Sequence, residues 1–366
     1  FLFAALNILE PLYESCIQRM EDYVSESSKG KYKFFEDTLA DVKSDKHPNI
    51  QYFIYKSIIL NNLYGVDIMK EAVETAKLRL FLKLAATVDA DYNKPNLGLE
   101  PLPDIDFNIR SGNTLVGFAA LRDVERAVEG HLLNSQLLKK EIEEIKEQAE
   151  IVKMAYENFK NSQMMIDSPS TRGAKTDLEN RLQKLNEKLN IYQAKLYGVE
   201  VKNPPSPPFA KGGKSTSPPL KKGDTGEFYD NQYEKWKSSH QPFHWFAEFY
   251  EIVHEKGGFD VIIGNPPYVE YSKVKNKYTI KGYKTESCGN LYAYVMEGSV
   301  NLVRDKGRFG MISPISLPST PRMTPARDVL IKNSVFSWCS NFADRPGTLF
   351  TGVHQKLSIV LSKKHL

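Results

Sequence analysis

Cysteine is scarce in this chain: Cys16, Cys288 and Cys339 lie far apart and form no CxxC pair. An odd, scattered set argues against a disulfide framework and against a zinc site, and favours a reducing, cytoplasmic setting. No apolar run approaches the ~20 residues needed to cross a bilayer, so no membrane partner is expected. The start, Phe1-Leu2-Phe3-Ala4-Ala5-Leu6, has no methionine and no basic leader, and makes a poor signal peptide. It reads as a helix already under way, and a fragment of a longer protein is expected. Net charge is only +4. Bulk charge therefore does not mark a nucleic-acid protein, though it is compatible with a local basic face. His240 and His244 have ligand-like spacing, but Gln241-Pro242 between them breaks a helix and no third ligand is near. No metal is expected.

What is present is enough apolar material for a real core, 41% of 366 residues. That length suits two average domains or one large domain with insertions. Residues 1 to about 22 carry apolar side chains at helical spacing, interrupted only by Pro11, and 22–49 are polar and irregular or partly helical. Tyr52 to Leu60 reads as a helix. Leu63 to Ile68 reads as a short strand ending in the acid Asp67, and Lys70 to Leu84 as a helix with Ala72, Ala76, Leu80 and Leu84 on one face. Phe107 to Arg110 reads as a further strand, closed by Ser111-Gly112-Asn113.

From about Leu121 to Tyr197 charge rises and apolar residues recur every three or four positions, as in Ile142, Ile145 and Ala149, then Leu178, Leu182, Leu185 and Leu189. Turn residues from Asp167 to Gly173 interrupt the pattern. Two long antiparallel helices, a coiled-coil hairpin, fit best, as a solvated spacer or as an arm that touches DNA or a partner. Residues 203–226 are low-complexity, with Ser206-Pro207-Pro208 echoed by Ser217-Pro218-Pro219. Pro and Gly at this density form no packed core.

After this insert come an aromatic-rich helix over Phe243 to Val253 and the apolar strand Phe259 to Gly264, typical of a buried parallel strand. Then follow a helix from Asn290 to Arg304, a strand from Arg308 to Ser313, a helix from Thr324 to Asn333, and strands over Val335 to Phe342 and Lys356 to Leu361. Alternating strands and helices predict an α/β fold with an open, mostly parallel sheet covered on both faces. Ligands of such sheets sit at the carboxyl ends of the strands.

Asn265-Pro266-Pro267-Tyr268 directly follows the apolar strand and so falls on that edge. Two prolines fix the backbone and remove two N–H donors. Main-chain carbonyls and the Asn265 side-chain oxygen can then converge as acceptors. A planar amine conjugated to a ring is a poor nucleophile. Acceptors that hold its hydrogens pull the nitrogen toward a tetrahedral shape and free its lone pair. Attack on a sulfonium methyl then needs orientation and electrostatic support, with no strong base. Tyr268 offers a flat face to the ring that carries the amine. The plain alternative is a loop whose prolines merely turn the chain.

The stretch Gly258 to Val269 resembles the catalytic segment of the N6-adenine DNA methyltransferases, in particular the large Eco57I-like, type IIG restriction-modification enzymes. Other stretches agree. Tyr64-Gly65-Val66-Asp67-Ile68 running into Ala72 to Leu80 resembles the family's cofactor-ribose segment. Asn108 to Leu115 resembles the segment at the cofactor adenine, and Pro242-Phe243-His244-Trp245 the lead-in helix. Asn290-Leu291-Tyr292, Gly307 to Ile312, and Leu349-Phe350 resemble the segments that follow the catalytic loop.

The resemblance implies a Rossmann-like sheet that binds S-adenosylmethionine, with helices on both faces, into which the helical hairpin is inserted. It covers most of the chain outside 121–230 and implies cofactor-side residues over 1–120 and the catalytic and target-base side over 231–366; the hairpin read from its spacing takes 121–200, and the low-complexity linker 201–230. Asp67 would bind the cofactor ribose, Ile68 would pack on its adenine, and Asn113 would lie near the adenine amine. Asn265 and Pro266, with Pro267 behind them, would hold the target amine. Tyr268 and Phe350 would sandwich an adenine flipped out of double-stranded DNA. This sequence holds no counterpart of the family's glycine-rich turn and central first strand, and Phe1-Leu2-Phe3 is expected to be the first turn of the helix that follows them. Its target-recognition domain, and the endonuclease that members often carry, would be partners outside this sequence. A protein glutamine or an RNA base offers the same amine chemistry, and a non-catalytic remnant is a further alternative.

Overall fold

The computed structural model describes residues 1–28, 30–44, 47–88, 91–93, 97, 102–129, 135–164, 168–199, 201, 225–344, 348–352 and 354–365. Most of the proline-rich linker, 202–224, lies outside the described residues. The chain divides into two compact units, one of Phe1–Gly112 with Asn161–Ser168, the other of Asn113–Lys160 with Pro169–Leu366.

The first unit contains α1 (Leu2–Ser25), α2 (Lys33–Val42), α3 (Ile50–Asn61), β1 (Gly65–Asp67), α4 (Lys70–Ala85) and β2 (Ile109–Ser111). Asn49 caps α3, its side chain accepting from the Tyr52 N–H at 2.7 Å. Tyr52, Ile54, Tyr55, Ile58 and Ile59 of α3 are all buried, so this helix is apolar nearly all round and forms the unit's core. Leu6 of α1 and Leu80 and Leu84 of α4 join it. β1 and β2 pair in parallel, with Asp67 opposite Ser111. The buried Asn108 amide donates to the carbonyls of Leu60 (3.0 Å) and Leu63 (3.2 Å), which fixes the turn entering β1.

The second unit opens with α5 (Leu121–Glu129), α6 (Ser135–Met164) and α7 (Ser168–Leu196). The two long helices read in the sequence are present, with Ile142, Ile145, Ala149, Leu178, Leu182, Leu185 and Leu189 buried. Lys188 of α7 pairs with Glu144 of α6 at 3.1 Å. Next come α8 (Thr225–His240), α9 (Trp245–Glu248), β3 (Phe259–Gly264), α10 (Leu291–Leu302), β4 (Val303–Pro314), α11 (Ser316–Ser319), α12 (Thr324–Asn333), β5 (Ser334–Phe342) and β6 (Leu357–Lys364). The aromatic segment after Phe243 is helical over α9 and, past a break at Phe249, again over a π-helical turn at Glu251–Glu255.

The strands run in the order β3-β4-β6-β5. β3 and β4 are parallel, whereas β6 pairs antiparallel with both β4 and β5. The sheet is therefore mixed, and the expectation of a mostly parallel sheet fails for β6, which inserts between β4 and β5. One face packs on α10 and α12 through Tyr292, Met296, Phe309, Met311, Val329 and Val360. The opposite face carries Ile263, Leu361 and Trp338, aligned across the sheet and exposed. Helical cover on both faces is thus not found in this unit among the described residues. β3 also departs from a buried strand. Within this unit and among the described residues it is an edge strand paired only with β4, and Val261 is 56% exposed.

Candidate functional site

The Asn265-Pro266-Pro267-Tyr268 loop leaves the carboxyl end of β3, opposite Met311 of β4 through Gly264. Pro266 is buried, Tyr268 is half-buried, and Asn265 and Pro267 are exposed. The Tyr268 hydroxyl donates to Asn265 Oδ1 at 2.6 Å. Burial raises that hydroxyl to about 12, so it stays protonated as a donor across the neutral range. The Tyr268 ring meets Tyr292 in a T-shaped contact at 6.3 Å. Tyr292 in turn hydrogen-bonds Ser316 at 2.9 Å. The loop tyrosine is thus backed by the apolar core of α10.

The chain beyond the loop is tied down at once. Leu291 N–H donates to Val269 O and Tyr271 N–H to Gly289 O, both at 2.9 Å, and Glu270 bridges Asn290. Arg322 pairs with Glu270 at 3.0 Å. These contacts hold the start of α10 against the residues that follow Tyr268.

In the first unit, Asp67 ends β1 exposed to solvent. Its Oδ1 accepts from Met69 N–H at 2.8 Å, and its carbonyl accepts from Gly112 N–H at 3.0 Å. Among the described residues Oδ2 has no partner. Ile68 beside it is exposed.

Asn113, in the second unit, is buried. Its Oδ1 accepts from Leu115 N–H at 3.1 Å, which orients the amide, and its Nδ2 is buried without a partner among the described residues. The backbone N–H of Asn113 donates to Gln241 O at 2.9 Å.

Phe350 lies between β5 and β6, 38% exposed and without a ring contact among the described residues. It is not a core phenylalanine. The structure therefore groups Asn265, Pro266 and Tyr268 tightly and sets Asp67 beside Ile68, while Phe350 makes no ring contact with the loop among the described residues.

In the sequence His244 was legible as part of a lead-in segment and as a neighbour of His240 with ligand-like spacing. It proves to be a buried lock. Its Nδ1 accepts from Phe118 N–H at 3.1 Å, so Nε2 carries the proton and donates to Asn190 Oδ1 at 3.0 Å. Burial pushes its pKa down to about 3. His240 likewise uses both nitrogens, one on Thr279 N–H and the other on Trp236 O, each at 3.0 Å. Neither ring keeps a lone pair for a metal. Among the described residues no cluster of His, Cys, Asp and Glu could hold a metal ion, and no helix is long and apolar enough to cross a membrane.

Residues 61–346, more than three quarters of the chain, match the Eco57I restriction-modification methylase family. The chain belongs to that family. Over 335 residues it is 29% identical to a protein of Methanocaldococcus jannaschii described provisionally as a type II restriction enzyme and methyltransferase. That match covers 85% of this chain and 27% of the relative, so the chain spans about a quarter of that protein's length. The family match takes in Asp67, Asn113 and the Asn265–Tyr268 loop of this family member, and ends before Phe350.

Proposed function

We propose that this methylase transfers a methyl group from S-adenosylmethionine to the N6 amine of an adenine flipped out of double-stranded DNA. The observation that carries the reading is the Asn265–Tyr268 loop at the carboxyl end of β3, with Tyr268 donating to Asn265 Oδ1 at 2.6 Å. An amide oxygen has two lone pairs, so one remains for a hydrogen of the target amine. The prolines leave backbone carbonyls as further acceptors. Together they orient the nitrogen lone pair, and no general base is required.

The donor sets fit the cofactor. The Asp67 carboxylate is exposed with one oxygen free, as a ribose diol requires, and Ile68 offers an apolar surface beside it. The orphaned Asn113 Nδ2 is a donor, and leaving it unmade costs roughly 1–3 kcal/mol. It suits a ring nitrogen of adenine better than the adenine amine. When bound, S-adenosylmethionine supplies an electrophilic sulfonium methyl.

Tyr268 supplies one stacking face for the flipped base and Phe350 the other. Unstacking costs a few kcal/mol, offset by the contacts in the pocket. The relative's description joins a restriction enzyme to a methyltransferase. By extension this chain works beside target-recognition and endonuclease domains in a defence system.

Incubation with tritiated S-adenosylmethionine, DNA, duplex RNA and a glutamine-bearing release-factor peptide tests the reading. Label in DNA adenine supports it. Label in the peptide or in RNA instead overturns it.

A further inference from the structure

Directly beyond the catalytic loop, residues 271–285 contain five lysines and no acidic residue. They leave and rejoin the site at one place, where Tyr271 N–H meets Gly289 O and Val269 O meets Leu291 N–H. The segment is thus a closed excursion from the carboxyl end of β3.

Its interior is built. Tyr271, Tyr278 and Tyr283 turn inward and pack with Ile280, Leu291 and Tyr294. The Tyr271 hydroxyl accepts from Ile280 N–H at 2.9 Å, and His240 Nε2 accepts from Thr279 N–H at 3.0 Å. The buried Glu297 carboxylate accepts from Lys284 N–H (3.1 Å), Thr285 N–H (2.9 Å) and the Thr285 hydroxyl (2.9 Å). A merely solvated loop has no need of an aromatic core and a buried carboxylate anchor.

The lysines point the other way. Lys273, Lys275, Lys277, Lys281 and Lys284 are all exposed. Lys281 is held over the Tyr197 ring at 4.8 Å and donates to Leu196 O at 3.2 Å. The side chains of Lys273, Lys275, Lys277 and Lys284 have no carboxylate partner among the described residues. The nearby Glu270 is already taken by Arg322. The result is a braced loop that presents unneutralised positive charge beside the target-base loop.

We infer that Lys273, Lys275 and Lys277 form a clamp on the DNA backbone, gripping phosphates next to the flipped adenine. The inference rests on the DNA reading above. Phosphate contacts fix register on the duplex without reading sequence, which is what a loop of lysines and inward tyrosines can supply. Each phosphate neutralised on duplex DNA adds about 0.9 to the slope of log affinity against log salt.

The test measures binding of the full chain to a short DNA duplex by fluorescence anisotropy across a salt series. The variant is K273Q/K275Q/K277Q. The control is K188Q/K256Q/K332Q, which removes the same charge from lysines that pair with Glu144, Glu251 and Asp328. The loop variant is expected to flatten the slope by roughly 2 to 3, while the control stays within about one of the parent. Equal slopes for the loop variant and the control overturn the clamp and leave the methylation reading standing. N265A separates the two ideas: it should keep the parent slope while losing methyl transfer. A parent chain with no salt-dependent DNA binding, or one that binds duplex RNA with the steeper slope, overturns the DNA reading and the clamp together.

Discussion

The Tyr268 hydroxyl and the Asn265 side-chain oxygen are joined by a 2.6 Å hydrogen bond, between the first and last residues of one four-residue loop. The bond sets the amide while leaving it one lone pair, and it holds the tyrosine ring by its far end. Ring and hydroxyl therefore have separable duties. Tyr268→Phe keeps the stacking face and is expected to slow methyl transfer by less than about tenfold. Tyr268→Ala removes the face, worth roughly 1–3 kcal/mol per stacked base, and is expected to cost about ten- to a hundredfold. Initial rates of methyl transfer to DNA decide it. Equal losses in the two variants would give the role to the hydroxyl.

Asp67 is exposed, and its Oδ1 is spent on Met69 N–H. Asp67→Ala should leave the thermal midpoint within a degree or two of the parent, since exposed side chains contribute little to stability. Affinity for S-adenosylmethionine, measured by titration calorimetry, should fall at least about tenfold, as expected for loss of a charge-assisted hydrogen bond. Unchanged affinity would remove Asp67 from the cofactor side.

The strand–acid–helix unit around Asp67 was legible because its hydrophobic periods are local. β3 was legible as a strand but not as an edge, because its position depends on which strands flank it. The antiparallel entry of β6 between β4 and β5 was hidden for the same reason. β4 begins at Val303, ahead of the expected Arg308, and its register against β3 shifts between Val303 and Arg308, an irregularity that no local period announces. Within the loop, the motif was plain but its internal bond was not. The His244 lock escaped notice because Asn190 and Phe118 lie 54 and 126 residues away in the chain.

His244 makes the fold sensitive to acid. Its pKa is lowered by burial to about 3, against 6.5 for an open histidine. The neutral form is the one that folds, so its stability is complete above pH 6.5 and is lost as pH falls toward 3. At pH 5 the loss is about 2 kcal/mol, from 1.36 kcal/mol per pH unit. Denaturant melts at pH 7 and pH 5 should show it. His244→Gln, less stable at pH 7, should lose less between the two; an equal loss would assign the acid sensitivity elsewhere.

Gly258 enters β3 with φ at +129°, and a Cβ there would sit 2.3 Å from the Leu302 carbonyl oxygen. Backbone cannot yield as a side chain can. Gly258→Ala is expected to cost about 2–4 kcal/mol, read as a lower denaturant midpoint with an unchanged slope. A variant as stable as the parent would contradict the observed close approach.

The chemistry assigned to Asn265 is tested most directly by nucleoside mass spectrometry of DNA treated with the chain and S-adenosylmethionine. The account predicts N6-methyladenine from the parent and none above background from Asn265→Ala, with both proteins equally folded by circular dichroism. N6-methyladenine from Asn265→Ala at the parent's rate would contradict it.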